Sequence, residues 1–161
     1  MRVVVVVLGV LALNACAPAA ADTAADLKAI DGLRSAYVAA FNAEDADKTA
    51  AVYSADGIYM GDEAQQVIGR DALRARYKQI MAGFDCDIQL KAEETVVNGD
   101  WAFERGQTWV HLMPTAPKST VPMVMDQGKY LVILKKQPDN SWLISRLTVN
   151  SNIGPPPPAA K

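Results

Sequence analysis

The chain contains one histidine and two cysteines, so few side chains can do covalent or acid–base chemistry, and their surroundings decide what each can do. His111 lies in an alternating run from Trp101 to Met113 and shares a strand face with Trp101, Phe103, Arg105, Gln107 and Trp109. An imidazole titrates near neutrality, so His111 is a candidate acid or base, and equally an ordinary surface residue. Arg105 and Glu104 point to opposite faces. If Arg105 faces an interior, its guanidinium suits a ligand carboxylate; if it faces out, it is a solvated or interface charge. Arg146, on the last expected strand, is a second candidate inward cation. Trp101, Trp109, Met113, Met123 and Met125 supply polarizable apolar surface, fit for a flat hydrophobic ligand or for plain core. Cys86, in Phe84-Asp85-Cys86-Asp87, has no nearby His to activate it and reads as a small buried hydrophobe. One His and one Cys cannot complete a tetrahedral zinc site. No phosphate loop or Gly-x-Ser-x-Gly elbow is present. Neither metal nor cofactor is expected.

With 16 basic and 18 acidic residues, and no basic stripe, nucleic acid is an unsupported partner. Arg2 followed by the apolar run Val3 to Leu13 has the form of a signal peptide, too short for a permanent span. The run ends in Leu13-Asn14-Ala15-Cys16, which resembles the lipobox of bacterial lipoproteins. That resemblance implies acylation of Cys16 and a membrane-anchored protein in the cell envelope; the alternative is a soluble periplasmic or secreted chain, cleaved after Ala19-Ala20-Ala21. The expected organisation is a signal peptide over 1–15, a lipidated tether over 16–23, one domain over 24–152, and a Pro-rich disordered tail over 153–161. A lipidated Cys16 leaves Cys86 without a disulfide partner.

Within the domain, Leu27, Ile30, Leu33, Tyr37, Ala40 and Phe41 recur at helical spacing. Asp45 or Asp47 can cap a short second helix that carries Ala51, Val52 and Tyr53. Ser54 to Gly57 reads as a turn, Ile58 to Met60 as a short strand, and Gln66 to Ile68 as its returning partner. A third helix starts at Gly69-Arg70-Asp71. Strands follow: one long bent strand through Ile88 and Val97, the Asn98-Gly99-Asp100 hairpin turn, Trp101 to Met113, Val121 to Lys136, and Trp142 to about Asn150. Three helices before long antiparallel strands predict an α+β domain, with a curved, mostly antiparallel sheet wrapped around the first helix.

The series Tyr37 to Asp45, Val52 to Gly57 and Ile68 to Leu73, closed by Gly128-Lys129-Tyr130-Leu131 and Asn140 to Ile144, resembles the nuclear-transport-factor-2-like superfamily. That superfamily includes ketosteroid-isomerase-like and SnoaL-like domains. The resemblance implies a cystatin-like cone: three N-terminal helices and a bent sheet enclosing one pocket, with homodimers through the outer sheet face. The pocket would then draw on Tyr53, Tyr59, Trp101, Arg105, Trp109, Met125 and Arg146. A ketosteroid isomerase needs an Asp base, an oxyanion-binding Tyr and a second acidic donor. Tyr37 falls on the Tyr position, in a helix stripe where it also serves as core. The base position falls on Gly61, with Asp62 beside it, and a one-residue offset on a strand turns a side chain to the other face. The second donor falls near Gly128 or Lys129, and Asp126 sits two or three places early.

The set is incomplete. The first expectation is therefore an envelope domain that binds a small apolar or weakly anionic molecule, or assembles with a protein. The alternative is a proton-transfer enzyme (isomerase, cyclase or dehydratase) using Tyr37 with Asp62 or His111. A third is a filled dimerisation domain. Geometry separates them: catalysis needs Tyr37 and Asp62 or His111 at one cavity.

Overall fold

The computed structural model describes residues 23–62, 64–116 and 121–153. The expected signal peptide, Cys16, the tether before Thr23 and the tail from residue 154 lie outside the described residues.

Three helices, α1 (Thr23–Asn42), α2 (Ala46–Ala51) and α3 (Arg70–Gly83), accompany six strands. These are β1 (Tyr53–Met60), β2 (Val67–Ile68), β3 (Phe84–Asn98), β4 (Trp101–Pro114), β5 (Val124–Lys136) and β6 (Trp142–Ser151). They form one sheet in the order β2-β1-β6-β5-β4-β3. All pairings are antiparallel except β1 with β6, which run parallel, so the sheet is mixed. The α+β expectation therefore stands, with the helices on the concave side of a curved sheet.

Local chemistry explains the joints. The Asp45 side chain accepts from the Lys48 amide at 2.9 Å and caps α2. Gly99, at φ 59°, turns β3 into β4, as its Asn-Gly-Asp setting predicts. Two expectations need correction. Helix α2 stops at Ala51, and Tyr53 opens a strand. Ser54 to Gly57 is an irregularity inside β1, where the register against β6 jumps from Tyr53–Ile144 to Ile58–Arg146. Arg70 holds this bulge by donating to the Tyr53 carbonyl from Nε at 2.8 Å. A short polar run with a glycine looks the same whether it turns the chain or bulges a strand.

Helix α1 is fastened over the sheet at both ends. Near its start, the buried carboxylate of Asp26 accepts from Trp142 Nε1 at 3.0 Å and from Lys136 Nζ at 2.9 Å. The Lys136 bond outweighs burial and holds the Asp26 carboxyl below its usual range. At its last residue, the Asn42 amide pairs with both backbone groups of Ile88, accepting from N at 2.7 Å and donating to O at 3.0 Å. Asn42 thus occupies a hydrogen-bonding slot on β3, an edge strand of the sheet.

Candidate active-site cavity

Between α1, α3 and the concave sheet lies a cavity of about 260 Å³. Ile30, Leu134, Ile144 and Leu147 close one end and are all buried. The other end opens among Asp62, Arg76, Val124, Asp126, Asn150 and Ser151. The lining is mostly aliphatic and aromatic, the usual character of a small-molecule site.

Tyr37 projects from α1 and Tyr77 from α3, and both line this space. The Tyr37 and Tyr77 hydroxyls are 3.3 Å apart, and Tyr77 is 2.9 Å from the hydroxyl of Tyr53. Burial pushes all three phenols well above their ordinary pKa, so each keeps its proton. Two bonds among three hydroxyls use two protons and leave one. Were the relay to run from Tyr37 toward Tyr53, the spare proton would be stranded on Tyr53, which is 0% exposed. With Tyr53 donating to Tyr77, the spare proton comes to the cavity wall, on Tyr37 if Tyr77 donates onward or on Tyr77 if Tyr37 also donates to it, since both line the cavity. A stranded buried donor costs about 1–3 kcal/mol, which disfavours leaving the spare proton on Tyr53.

Asp62 lies just past the end of β1, in a turn, and lines the cavity. Its Oδ2 accepts from the Ser151 amide at 3.0 Å, and Ser151 Oγ donates to Asp126 Oδ1 at 2.6 Å. Ser151 therefore joins two carboxylates at the mouth. Beside them, the Arg76 guanidinium stacks 4.9 Å from the centre of the Tyr59 ring.

On the sheet wall, Glu104 is 2% exposed. It accepts from Arg34 Nη1 at 2.5 Å, from Thr95 Oγ1 at 2.9 Å and from the Tyr130 hydroxyl at 2.9 Å.

Seven residues expected at the pocket or its chemistry are elsewhere. Trp101, Arg105, Trp109, His111 and Met125 stand on the convex sheet face, and none lines the cavity. Arg105 is bound by Glu94 at 2.7 Å and Glu93 at 2.9 Å. The His111 Nδ1 lies 3.7 Å from Asp87 Oδ2, far from Tyr37's wall of the cone, so it cannot share a ligand with that hydroxyl. Arg146 also points away from the cavity, with Nη1 donating to the Ser145 carbonyl at 2.7 Å. Tyr53 stands behind Tyr77 rather than in the lining. The physical reason is shared. The concave face must admit a helix and still leave space, so it carries the smaller residues of β4 (Ala102, Gly106, Thr108) and the bulky aromatics fall outside. A Cβ on Gly106 would overlap the Lys91 carbonyl and stand 2.9 Å from the Tyr130 ring. Sequence reasoning missed Arg76, Tyr77, Glu104, Thr108 and Tyr130. Alternation from Gly106 along β4 was the signal that could have found Glu104 and Thr108.

Cys86 is buried, with its thiol donating to the Phe84 carbonyl at 3.4 Å. Burial pushes its pKa up to about 11. That is the behaviour of a packed thiol. Among the described residues no cluster of three or more His, Cys, Asp or Glu side chains is arranged to hold a metal ion.

A cone of three helices and one bent sheet, closed at one end and polar at the other, is the architecture of cystatin-like, nuclear-transport-factor-2-like domains. Solved structures agree. The chain is similar to a ketosteroid isomerase-like protein from Erwinia carotovora atroseptica, at 27% identity and TM-score 0.70, covering 80% of this chain and 98% of that one. It is also similar to an NTF2-like protein with a cystatin-like fold from Novosphingobium aromaticivorans, at 20% identity and TM-score 0.67, over 82% and 85% of the two chains. A protein of the same organism, described provisionally as an aromatic ring hydroxylase, matches at 20% identity and TM-score 0.72, over 81% and 92%. A search of curated proteins finds no match. Residues 35–126 match the SnoaL-like domain model, and the chain belongs to that family.

Proposed function

We propose that this domain binds a compact, mostly apolar molecule through one oxygen seated on the Tyr37 hydroxyl. The observation that carries this reading is the open apolar cavity with a phenol relay that brings its spare proton to the wall formed by Tyr37 and Tyr77. β-Tetralone is a suitable probe, being a flat apolar body with one carbonyl. Calorimetric titration should show binding, weakened about tenfold in Tyr37→Phe, the loss of one hydrogen bond to a ligand oxygen. Undiminished binding by Tyr37→Phe would sink the assignment.

A second reading is favoured by one observation: Tyr37 and Asp62 border the same cavity. In it, the Asp62 carboxylate takes the α-proton of a bound ketone, the C–H electron pair becomes the C=C bond of the enolate, and the carbonyl π pair moves to the oxygen held by the Tyr37 hydroxyl. His111 is not retained in this role. Proton NMR in D2O would report exchange of the α-protons of bound β-tetralone. Exchange that persists unchanged in Asp62→Asn removes this reading and leaves the binding one.

We further assign the domain to the cell envelope, anchored by lipid on Cys16. The support is the apolar leader ending in Leu13-Asn14-Ala15-Cys16. Membrane fractionation tests it: Cys16→Ser should move the protein to the soluble fraction. The convex sheet face, where Trp101, Phe103, Leu131 and Ile133 are exposed, is the surface we assign to pairing with a second copy.

A further inference from the structure

The cavity has two chemically distinct walls. On the helical side, the Tyr37–Tyr77 pair holds a phenolic proton free for a ligand oxygen. On the sheet, the opposite holds. Tyr130 lines the cavity, and its hydroxyl donates to Glu104 Oε1 at 2.9 Å. Glu104 is a buried acceptor, held by Arg34 and Thr95, so the one phenolic proton of Tyr130 is committed to it. Burial, then the charge of Glu104, pushes the Tyr130 phenol far above its ordinary range, so the proton stays. What the Tyr130 oxygen has left is lone pairs.

Thr108 stands a diagonal step away in the ladder, because Thr108 pairs with Gly128 and Tyr130 with Gly106. It lines the same cavity, is 6% exposed, and its hydroxyl has no hydrogen-bond partner among the described residues. The hydroxyl oxygen is not sealed off, so it opens onto the cavity space. An acceptor with no proton to give and an unpartnered hydroxyl thus share one strip of an otherwise aliphatic wall.

The geometry points to a hydroxyl-recognising subsite on the sheet wall, formed by Tyr130 and Thr108, so the ligand is an apolar hydroxy-ketone rather than a simple ketone. Its hydroxyl donates to the Tyr130 oxygen, with Thr108 placed to give or take a second bond, while its carbonyl accepts from Tyr37. This rests on the pocket reading above and narrows its ligand class.

The test is competition between β-tetralone, its ring-hydroxylated isomers and their methyl ethers, titrated against the full chain. The ethers keep the oxygen and lose the proton. At least one hydroxylated isomer should bind about tenfold more tightly than both the parent and its own ether. Tyr130→Phe should bring that ratio close to one, and Thr108→Val should reduce it by a smaller factor. Parent, ether and hydroxylated compounds binding equally to the wild type would overturn the subsite while leaving the pocket reading intact. A preference that survives both substitutions would overturn it as well. If none of the compounds binds, the pocket reading fails and the subsite fails with it.

Discussion

Strand β4 presents two faces of one sequence, and they have little chemistry in common. Its concave side carries Ala102, Glu104, Gly106, Thr108, Val110 and Leu112, of which all but Val110 and Leu112 are below a tenth exposed or leave no side chain to expose. Its convex side carries Trp101, Phe103, Arg105, Gln107, Trp109 and His111, all at least partly in solvent. The residues that look most like a binding site sit on the wrong side of it. A strongly bent sheet crowds its inner face, so β4 gives the cavity small or aliphatic side chains and one paired carboxylate, and its bulky aromatics fall outside.

The largest break in this contrast should come from Gly106. Gly106→Val would drive two methyl groups into the Lys91 carbonyl and the Tyr130 ring, at a cost of about 3 kcal/mol or more. Its convex neighbour Gln107→Ala should stay within about 0.5 kcal/mol. Urea denaturation of the pair measures the difference directly, and equal losses would refute the crowding argument.

Next is the fastening of α1 on the concave side. Asp26→Asn removes the charge that Lys136 and Trp142 share and should cost about 2 kcal/mol at neutral pH. The folded carboxyl is held below its ordinary value of 3.8, so its contribution is complete above that pH and fades as pH falls through the lower folded value. Thermal melts of wild type and variant should therefore converge as the pH is lowered below about 4. A constant gap down to that range contradicts the linkage.

On the convex side, Phe103→Glu combined with Leu131→Lys should shift the proposed dimer to monomer in analytical ultracentrifugation. Binding in the cavity should change less than about twofold, because neither side chain lines it. A ligand loss that matched the assembly loss would show that the faces are not independent. The smallest effect concerns Cys86. With its pKa raised to about 11, it should react with a thiol reagent at pH 8 far more slowly than in urea. Equal rates would mean that the site opens readily.

The fold was legible because its signals are periodic. The helix stripe from Leu27 to Phe41, the Asn98-Gly99-Asp100 turn and the alternating strands all survive folding as local facts. Faces were not legible. Alternation along β4 says that odd and even residues part company, but not which set meets α1. Only curvature decides that, and curvature comes from the bulges between Ala92 and Glu94 and between Ile133 and Leu134, which have no sequence mark of their own. Tyr37 was found through a motif, and Asp62 because it adjoins one. Tyr77, Glu104 and Tyr130 depend on contacts 24 to 70 residues apart.

The seam where Asp26 meets Trp142 also gives the molecule a direction. That seam lies at the start of β6, and the cavity opens around Ser151 at its end, some 30 Å along the strand. A lipid on Cys16 would be joined to Thr23 by a chain that reaches on the order of 25 Å at full stretch. The anchor would then hold the cup by its base, with the lip turned from the bilayer. Cargo would enter from the aqueous side, and a molecule dissolved in the membrane would have to leave it before it could be caught.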